Sequence, residues 1–430
     1  MTVEPYRFTA TEAVQAFKSG SLTVEDYARS ILERIRQRDQ EVKAWAHLNP
    51  SQVLSRAQAL DKVPHDQRGP LHGVAVAIKD VIYTKGMPTQ HNSPIYKDDQ
   101  PEVDAASVIM LRHAGALILG KTHTTEFAST VEGPVTCNPH DPSRTPGGSS
   151  SGSGAAVADF QAAIAIGTQT GGSTIRPGSF NGIYAFKPTW NSISREGQKI
   201  YSLILDTIGF YSRSVDDLQL LASVFGLKDD EPCQDLNGLN GLKFGFLKTM
   251  VWDQAGPGTR NAMDHGMQLL KDCNAEVSEI EFAPEFAKLP EWHTCVLYGD
   301  GRVAFRPEYQ SAKARLAPFL IGHVEEVHGY SRKDYLEAFD GIAMLRPKWD
   351  AIAAQYDAIV VPSVPDEAPK GIESTGSAVF NGIWTALHVP VINIPGFQGD
   401  NGMPVGLSLL APRYHDQALL AVAKEVGKVW

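Results

Sequence analysis

Gly73-Val74-Ala75-Val76-Ala77-Ile78-Lys79-Asp80 is the stretch on which the fold class turns. Its first six residues carry no charge and are all Gly, Ala, Val or Ile, the composition of a strand buried on both faces. Lys79 and Asp80 end the run. Downstream, Val108, Leu111 and Arg112 recur at helical spacing before Gly115. Residues 116–119 form a second short apolar run. Strand, helix, strand at this spacing is an α/β unit. Residues 162–166, 242–247, 358–361 and 391–394 read as further strands. The expected fold class is α/β, a single domain with a central mixed, largely parallel β-sheet flanked by helices on both faces.

Helical punctuation supports this. Val24, Tyr27, Ala28, Ile31, Leu32 and Ile35 share one face, and Thr23 with Asp26 resembles a capping box with Asp in the Glu place. Ser214 and Asp217 open another helix, and Gly226 is its expected stop. Met263, Met267 and Leu270 share a face, as do Leu419, Leu420, Ala423 and Val426. The 430 residues are 43% hydrophobic, enough to build a large core. The net charge of −10 and the lack of a long basic run remove the footprint of a nucleic-acid binder. The N-terminus has no basic region leading into an apolar run, so no secretory signal is expected. No stretch is long and apolar enough to span a bilayer. Cys137, Cys233, Cys273 and Cys295 form no C-x-x-C pair. Free thiols in a cytoplasmic protein are the expectation.

Residues 132–154 concentrate Pro, Gly and Ser and end in Gly147-Gly148-Ser149-Ser150-Ser151-Gly152-Ser153-Gly154. That composition suits a flexible linker, yet a long loop between buried segments is usually functional. Three chemistries compete for it. A phosphate cradle needs a Gly-Lys-Ser/Thr ending, and no lysine follows Gly152 or Gly154; a dinucleotide fingerprint fails at Val157. An α/β-hydrolase elbow fits Gly148 to Gly152 formally, with Ser150 as nucleophile. It needs a strand before it, and Ser143-Arg144-Thr145-Pro146-Gly147 is poor strand material. The third reading joins a second stretch, Gly167-Thr168-Gln169-Thr170-Gly171-Gly172-Ser173-Thr174-Ile175-Arg176-Pro177. It follows a buried strand and opens a helix. Glycines let backbone amides come close to a ligand, where they can face a developing oxyanion. Ser173 is then a nucleophile in need of a base. A lysine serves if burial lowers its pKa, and Lys79 ends an apolar strand.

The chain resembles the amidase signature family. Gly69-Pro70-Leu71-His72 with the opening stretch is similar to the family's lysine strand, Thr145 to Gly152 to its first serine segment, and residues 167–177 to its nucleophile segment. The 24 positions from Ser149 to Ser173 match the family spacing. Phe186-Lys187-Pro188-Thr189, Asp206-Thr207-Ile208-Gly209, Arg213-Ser214-Val215 and Gly402-Met403-Pro404-Val405-Gly406-Leu407 agree, so the resemblance covers nearly the whole chain. It implies one amidase-signature domain over residues 1–430: N-terminal helices to 65, a catalytic core at about 66–227, a variable cap at about 228–350, and a return to the core at about 351–430. It implies that Ser173 attacks a carbonyl carbon to form an acyl-enzyme, that Ser149 relays a proton between Ser173 and Lys79, and that neutral Lys79 is the base. It further implies a cis Gly148–Ser149 peptide, an oxyanion hole from the amides of Thr170, Gly171, Gly172 and Ser173, support from Ser150, and no metal or cofactor.

Two departures bear on substrate. Gln169 stands where many family members carry Asp, and Ile175 where many carry Arg, with Arg176 one place later. This variant is similar to a malonamidase-like, carboxylate-selective branch in which Arg176 binds the substrate. The other reading of Arg176 is structural, on loop carbonyls or Asp206. Trp190, Tyr201, Phe210 and Trp384 are candidate pocket aromatics, and His72 and His91 candidate cleft histidines, although aromatics are more often core. His113, His123 and Glu126 lack the H-E-x-x-H frame of a zinc site. The expected substrate is a small-molecule amide or carbamate (urethane), as for a urethanase or aryl acylamidase. Rival readings are an ammonia-generating subunit of a transamidation complex and a non-catalytic binding protein. No nucleic-acid or membrane partner is expected, and a homodimer stays open.

Overall fold

The computed structural model describes residues 4–231 and 236–430. Eleven strands form one sheet: β1 (Trp45–Leu48), β2 (Ala75–Lys79), β3 (Leu117–Thr122), β4 (Ile164–Gln169), β5 (Tyr184–Lys187), β6 (Thr207–Ser212), β7 (Lys243–Leu247), β8 (Glu276–Ile280), β9 (Ala358–Pro362), β10 (Val391–Gln398) and β11 (Pro404–Leu410). Their order is β1-β3-β2-β4-β6-β5-β10-β11-β9-β7-β8. The sheet is mixed, as expected, but less parallel than expected. Parallel pairing is confined to the blocks β3-β2-β4 and β9-β7-β8. Every other pairing among the described residues is antiparallel. The sequence signal for buried runs does not report strand direction. It also passes over β1, β5, β6, β8 and β11, which are short, carry polar residues or are interrupted by Gly or Pro.

Alternation along the strands sorts side chains onto two faces. Val76, Ile78, Ile118, Ile164, Ile166, Val360, Ile392 and Leu407 belong to one cluster that runs the length of the sheet. The opposite face is split. Under β2, β3 and β4 it is built from Ala75, Ala77, Leu117 and Ala165, packed against Tyr27, Ala28 and Ile31 of the helix Val24–Val42. Under β9, β10 and β11 it is built from Ile359, Val361, Val391 and Leu410 with Trp349 and Trp384. Helices cover both faces. The helix Val24–Val42 starts where Thr23 accepts the Asp26 N–H. The helix Val215–Val224 starts where Ser214 accepts the Asp217 N–H, and Gly226 follows with φ +68°, a left-handed exit that glycine adopts at little cost.

The segment 228–350 is not a cap throughout. Its strands β7 and β8 complete the edge of the sheet, while its helices Leu289–Ala304 and Arg332–Ala353 pack in the cluster that covers one face of β9, β10 and β11. Phe210 and Trp384 are fully buried core residues. Trp190 stacks on His388 at 4.2 Å, and His91 stacks on Phe127 at 5.7 Å. His72 packs edge-on against Phe17, among the N-terminal helices. Cys137, Cys273 and Cys295 are free thiols; Cys233 lies outside the described residues. Among the described residues no helix is long and apolar enough to cross a membrane.

Candidate active site

The later part of the Pro/Gly/Ser stretch, from Arg144 to Gly154, is buried. Residues 151–158, Ser-Gly-Ser-Gly-Ala-Ala-Val-Ala, form a helix that is buried through Val157. A helix so poor in side chains can lie close to a sheet, and here it meets the alanine face of β2 and β4. Gly152 marks how close: an added Cβ would stand 2.2 Å from the Ala44 carbonyl oxygen. The start of this helix therefore sits at the C-terminal ends of the parallel strands β3, β2 and β4, where ligands collect in α/β sheets.

Lys79 is the last residue of β2 and shares parity with Ala75 and Ala77. It is fully buried. Its Nζ lies 2.7 Å from Ser149 Oγ and 2.7 Å from Thr168 Oγ1. Burial pushes its pKa well below the ordinary lysine value; the Asp206 carboxylate opposes this and the Arg176 guanidinium adds to it. The Gly148–Ser149 peptide is cis. Ser150, also fully buried, donates through Oγ to the Thr168 carbonyl at 3.2 Å and accepts the Thr168 N–H at 3.3 Å. No strand precedes it, so the elbow geometry that would make Ser150 a nucleophile is missing.

Residues 170–174 turn tightly between β4 and the short helix Ile175–Phe180. Gln169 closes that turn. Its Oε1 accepts the N–H groups of Thr174 and Ile175 at 2.9 and 3.0 Å. Its Nε2 donates to Thr385 Oγ1, which donates in turn to the Gly171 carbonyl. Ser173 is 9% exposed, and its carbonyl accepts the Tyr211 hydroxyl at 3.0 Å. Among the described residues, the N–H groups of Gly171, Gly172 and Ser173 donate to no other backbone carbonyl. They are free to face a ligand oxygen. Arg176 is buried, and its Nη2 donates to the Gly148 carbonyl at 2.6 Å and to Thr375 Oγ1 at 3.1 Å.

A family model described as Amidase matches residues 26–420. The chain belongs to the amidase family. A glutamyl-tRNA(Gln) amidotransferase subunit of Acidothermus cellulolyticus is 32% identical to it, across 97% of this chain and 93% of that protein. The corresponding chloroplastic/mitochondrial subunit of Arabidopsis thaliana is 30% identical, across 94% and 86%. A solved amidase superposes with a TM-score of 0.87 at 28% identity, covering 98% of this chain and 99% of the other. The solved glutamyl-tRNA(Gln) amidotransferase subunit of Thermotoga maritima superposes with a TM-score of 0.83 at 25% identity, covering 100% and 96%. The protein is accordingly a serine amidase, an enzyme that hydrolyses C–N bonds of amides.

Three residues that surround the turn stand outside the expected site: Thr168 and Asp206 lie in stretches that carry the family resemblance without marking this role, and His293 lies in none. Thr168 gives Lys79 its second partner, and a threonine inside a strand looks like any other. Asp206 accepts Thr170 Oγ1 at 2.6 Å and the Tyr201 N–H at 2.7 Å. Burial raises its pKa to about 6, against the pull of these hydrogen bonds and of Arg195. Asp206→Asn keeps an acceptor for Thr170 but removes the charge that holds the Lys79 pKa up. The expected result is an acid limb of kcat/KM displaced to lower pH, read from a pH–rate profile; an unmoved limb would separate Asp206 from the titration of Lys79.

His293 comes from the helix Leu289–Ala304, far from the motifs in sequence. Its Nε2–H donates to the Thr170 carbonyl at 3.0 Å, and burial holds its pKa below the ordinary value, so the ring is neutral. Gly382 makes room for it, since a Cβ there would stand 2.8 Å from Nδ1. His293→Ala leaves that carbonyl without its donor, which costs about 1–3 kcal/mol. We expect a kcat lowered about tenfold, with partial rescue by His293→Gln, whose amide can donate. Full activity in the alanine variant would remove His293 from the control of the turn.

Proposed function

We propose that this amidase hydrolyses a small-molecule amide or carbamate through an acyl-enzyme on Ser173. The observation that carries the reading is Lys79, a fully buried lysine bonded to Ser149 Oγ at the end of an apolar strand. A buried lysine with a lowered pKa can be neutral near pH 7. One N–H of neutral Nζ is taken by Thr168 Oγ1, which leaves the lone pair for the Ser149 proton. Ser173 Oγ attacks the carbonyl carbon as its proton passes to Ser149 Oγ and the Ser149 proton passes to Lys79 Nζ. The negative oxygen of the tetrahedral intermediate is met by the unspent N–H groups of the 170–173 turn. The C–N bond breaks as the leaving nitrogen takes the proton back through Ser149. Water then hydrolyses the acyl-enzyme by the same relay. A carbamate offers a similar carbonyl, so the relay serves both.

Arg176 acts in this reading as a positioning residue, because its Nη2 already holds the carbonyl of the peptide that presents Ser149. The test is a matched panel of carboxylate-bearing amides, neutral aryl amides and aryl carbamates, with Ser173→Ala as the blank. Arg176→Lys should lower kcat on every member by a similar factor. A loss confined to the carboxylate-bearing amides would instead assign Arg176 to the substrate.

The names of the curated relatives favour a second reading, an amidotransferase component that releases ammonia from glutamine for a partner. Hydrolysis of the panel by the isolated chain, with no gain on adding partner proteins and glutamine, supports the first. Activity restricted to glutamine and dependent on partners supports the second.

A further inference from the structure

A pocket of about 190 Å³ opens between the helices Leu289–Ala304, Pro318–Val324 and Arg332–Ala353. None of Lys79, Ser149 or Ser173 lines it. On the first of these helices His293 reaches the Thr170 carbonyl, whereas Tyr298 and Arg302 face the pocket. Five residues separate His293 from Tyr298, roughly 7–8 Å of helix, so the pocket is offset from the nucleophile turn.

Its walls are aromatic. Tyr298 stacks on His328 with centroids 3.7 Å apart and planes within 3°. Tyr330 stands 6.1 Å from Tyr298, and His323 meets it edge-on at 4.9 Å. A cavity of roughly 150 Å³ is known to hold a benzene ring, so a single planar ring fits here. The polar side carries two arginines and two carboxylates. Arg302 and Arg332 both pair with one oxygen of Glu326, two guanidiniums on one carboxylate. Arg302 Nε–H is buried and has no acceptor among the described residues. The other acid, Asp300, is already committed: its two oxygens accept the hydroxyls of Ser202 and Tyr335 at 2.5 and 2.6 Å.

We infer that this pocket is a second small-molecule site, separate from the catalytic serine, that binds a planar aromatic carboxylate. The ring lies against Tyr298 and Tyr330, and the Arg302 side chain, whose Nε–H has no protein acceptor among the described residues, turns to meet the carboxylate.

Calorimetric titration of the full-length enzyme with benzoate tests this, with benzyl alcohol as the uncharged probe. Benzoate should bind saturably, and equally well to enzyme whose reactive serine has been blocked by a fluorophosphonate, whichever serine that is. Arg302→Gln should weaken benzoate about tenfold, the loss of one charge-assisted hydrogen bond, and leave benzyl alcohol unchanged. Tyr298→Ala should weaken both about tenfold. Circular dichroism checks folding, and Tyr298→Leu replaces the alanine variant if that fails to fold. Absence of benzoate binding, loss of binding in the blocked enzyme, or indifference to both substitutions would overturn the assignment.

Discussion

Ser173→Ala should lower kcat on a small amide by about 10⁴- to 10⁶-fold, the range seen when a serine nucleophile is removed, and should abolish labelling by a fluorophosphonate. The substitution deletes one hydroxyl at a position that is 9% exposed, so the melting temperature should move little. Ser150→Ala is the contrast. Ser150 Oγ is spent on the backbone of Thr168, and its loss should cost about 1 kcal/mol of stability while labelling persists. The converse pattern, with label lost in the Ser150 variant and kept in the Ser173 variant, would exchange the two roles.

Lys79→Met should separate activity from stability. In the proposed relay Lys79 is the base, and its loss is expected to lower kcat/KM by about 10³-fold or more. Stability should move the other way at low pH. An unfolded chain keeps the lysine proton to about pH 10.4, whereas burial makes the folded chain release it well below that. Between the two values the unfolded state binds more protons, so wild-type stability climbs as pH rises. Below the folded pKa the whole penalty of a buried ammonium is present, several kcal/mol by general experience. Against this, methionine leaves the hydroxyls of Ser149 and Thr168 without their Nζ partner, at roughly 1 kcal/mol each. The ammonium penalty outweighs those two hydrogen bonds, so Lys79→Met should melt above wild type in acid. The gap should shrink as pH rises towards that of free lysine. A gap independent of pH would mean that Lys79 does not titrate between the two states. In the wild type the same deprotonation makes kcat/KM rise with pH through the free-enzyme pKa of Lys79.

The chemistry sat in local sequence because each part of it is local. A lysine closing an apolar strand, a Gly-Ser run and a Gly-Gly-Ser turn after a strand are each a handful of residues long, and their order along the chain made them specific. Caps were legible for the same reason: Thr23 with Asp26 and Ser214 with Asp217 each act within one turn of helix. What the sequence by itself determined, then, is the α/β class, the buried strands β2, β3 and β4 and the helix starts at Thr23 and Ser214; Lys79, Ser149 and Ser173 are the residues it nominates for the proposed relay.

Tertiary structure decided the rest. Strand direction depends on which distant strand pairs with which: β5 meets β10 antiparallel and β7 meets β9 parallel, each across a long stretch of chain. The linker-like run 151–158 became a buried helix only because β2 and β4 present alanines to it. Asp206 and His293 joined the 170–174 turn from 36 and 123 residues beyond Thr170. Lys79 lost its ordinary pKa to enclosure by segments that no local window contains. A pattern of residues states which groups are present; desolvation and hydrogen-bond partners, which set what those groups can do, arise only when remote segments close around them.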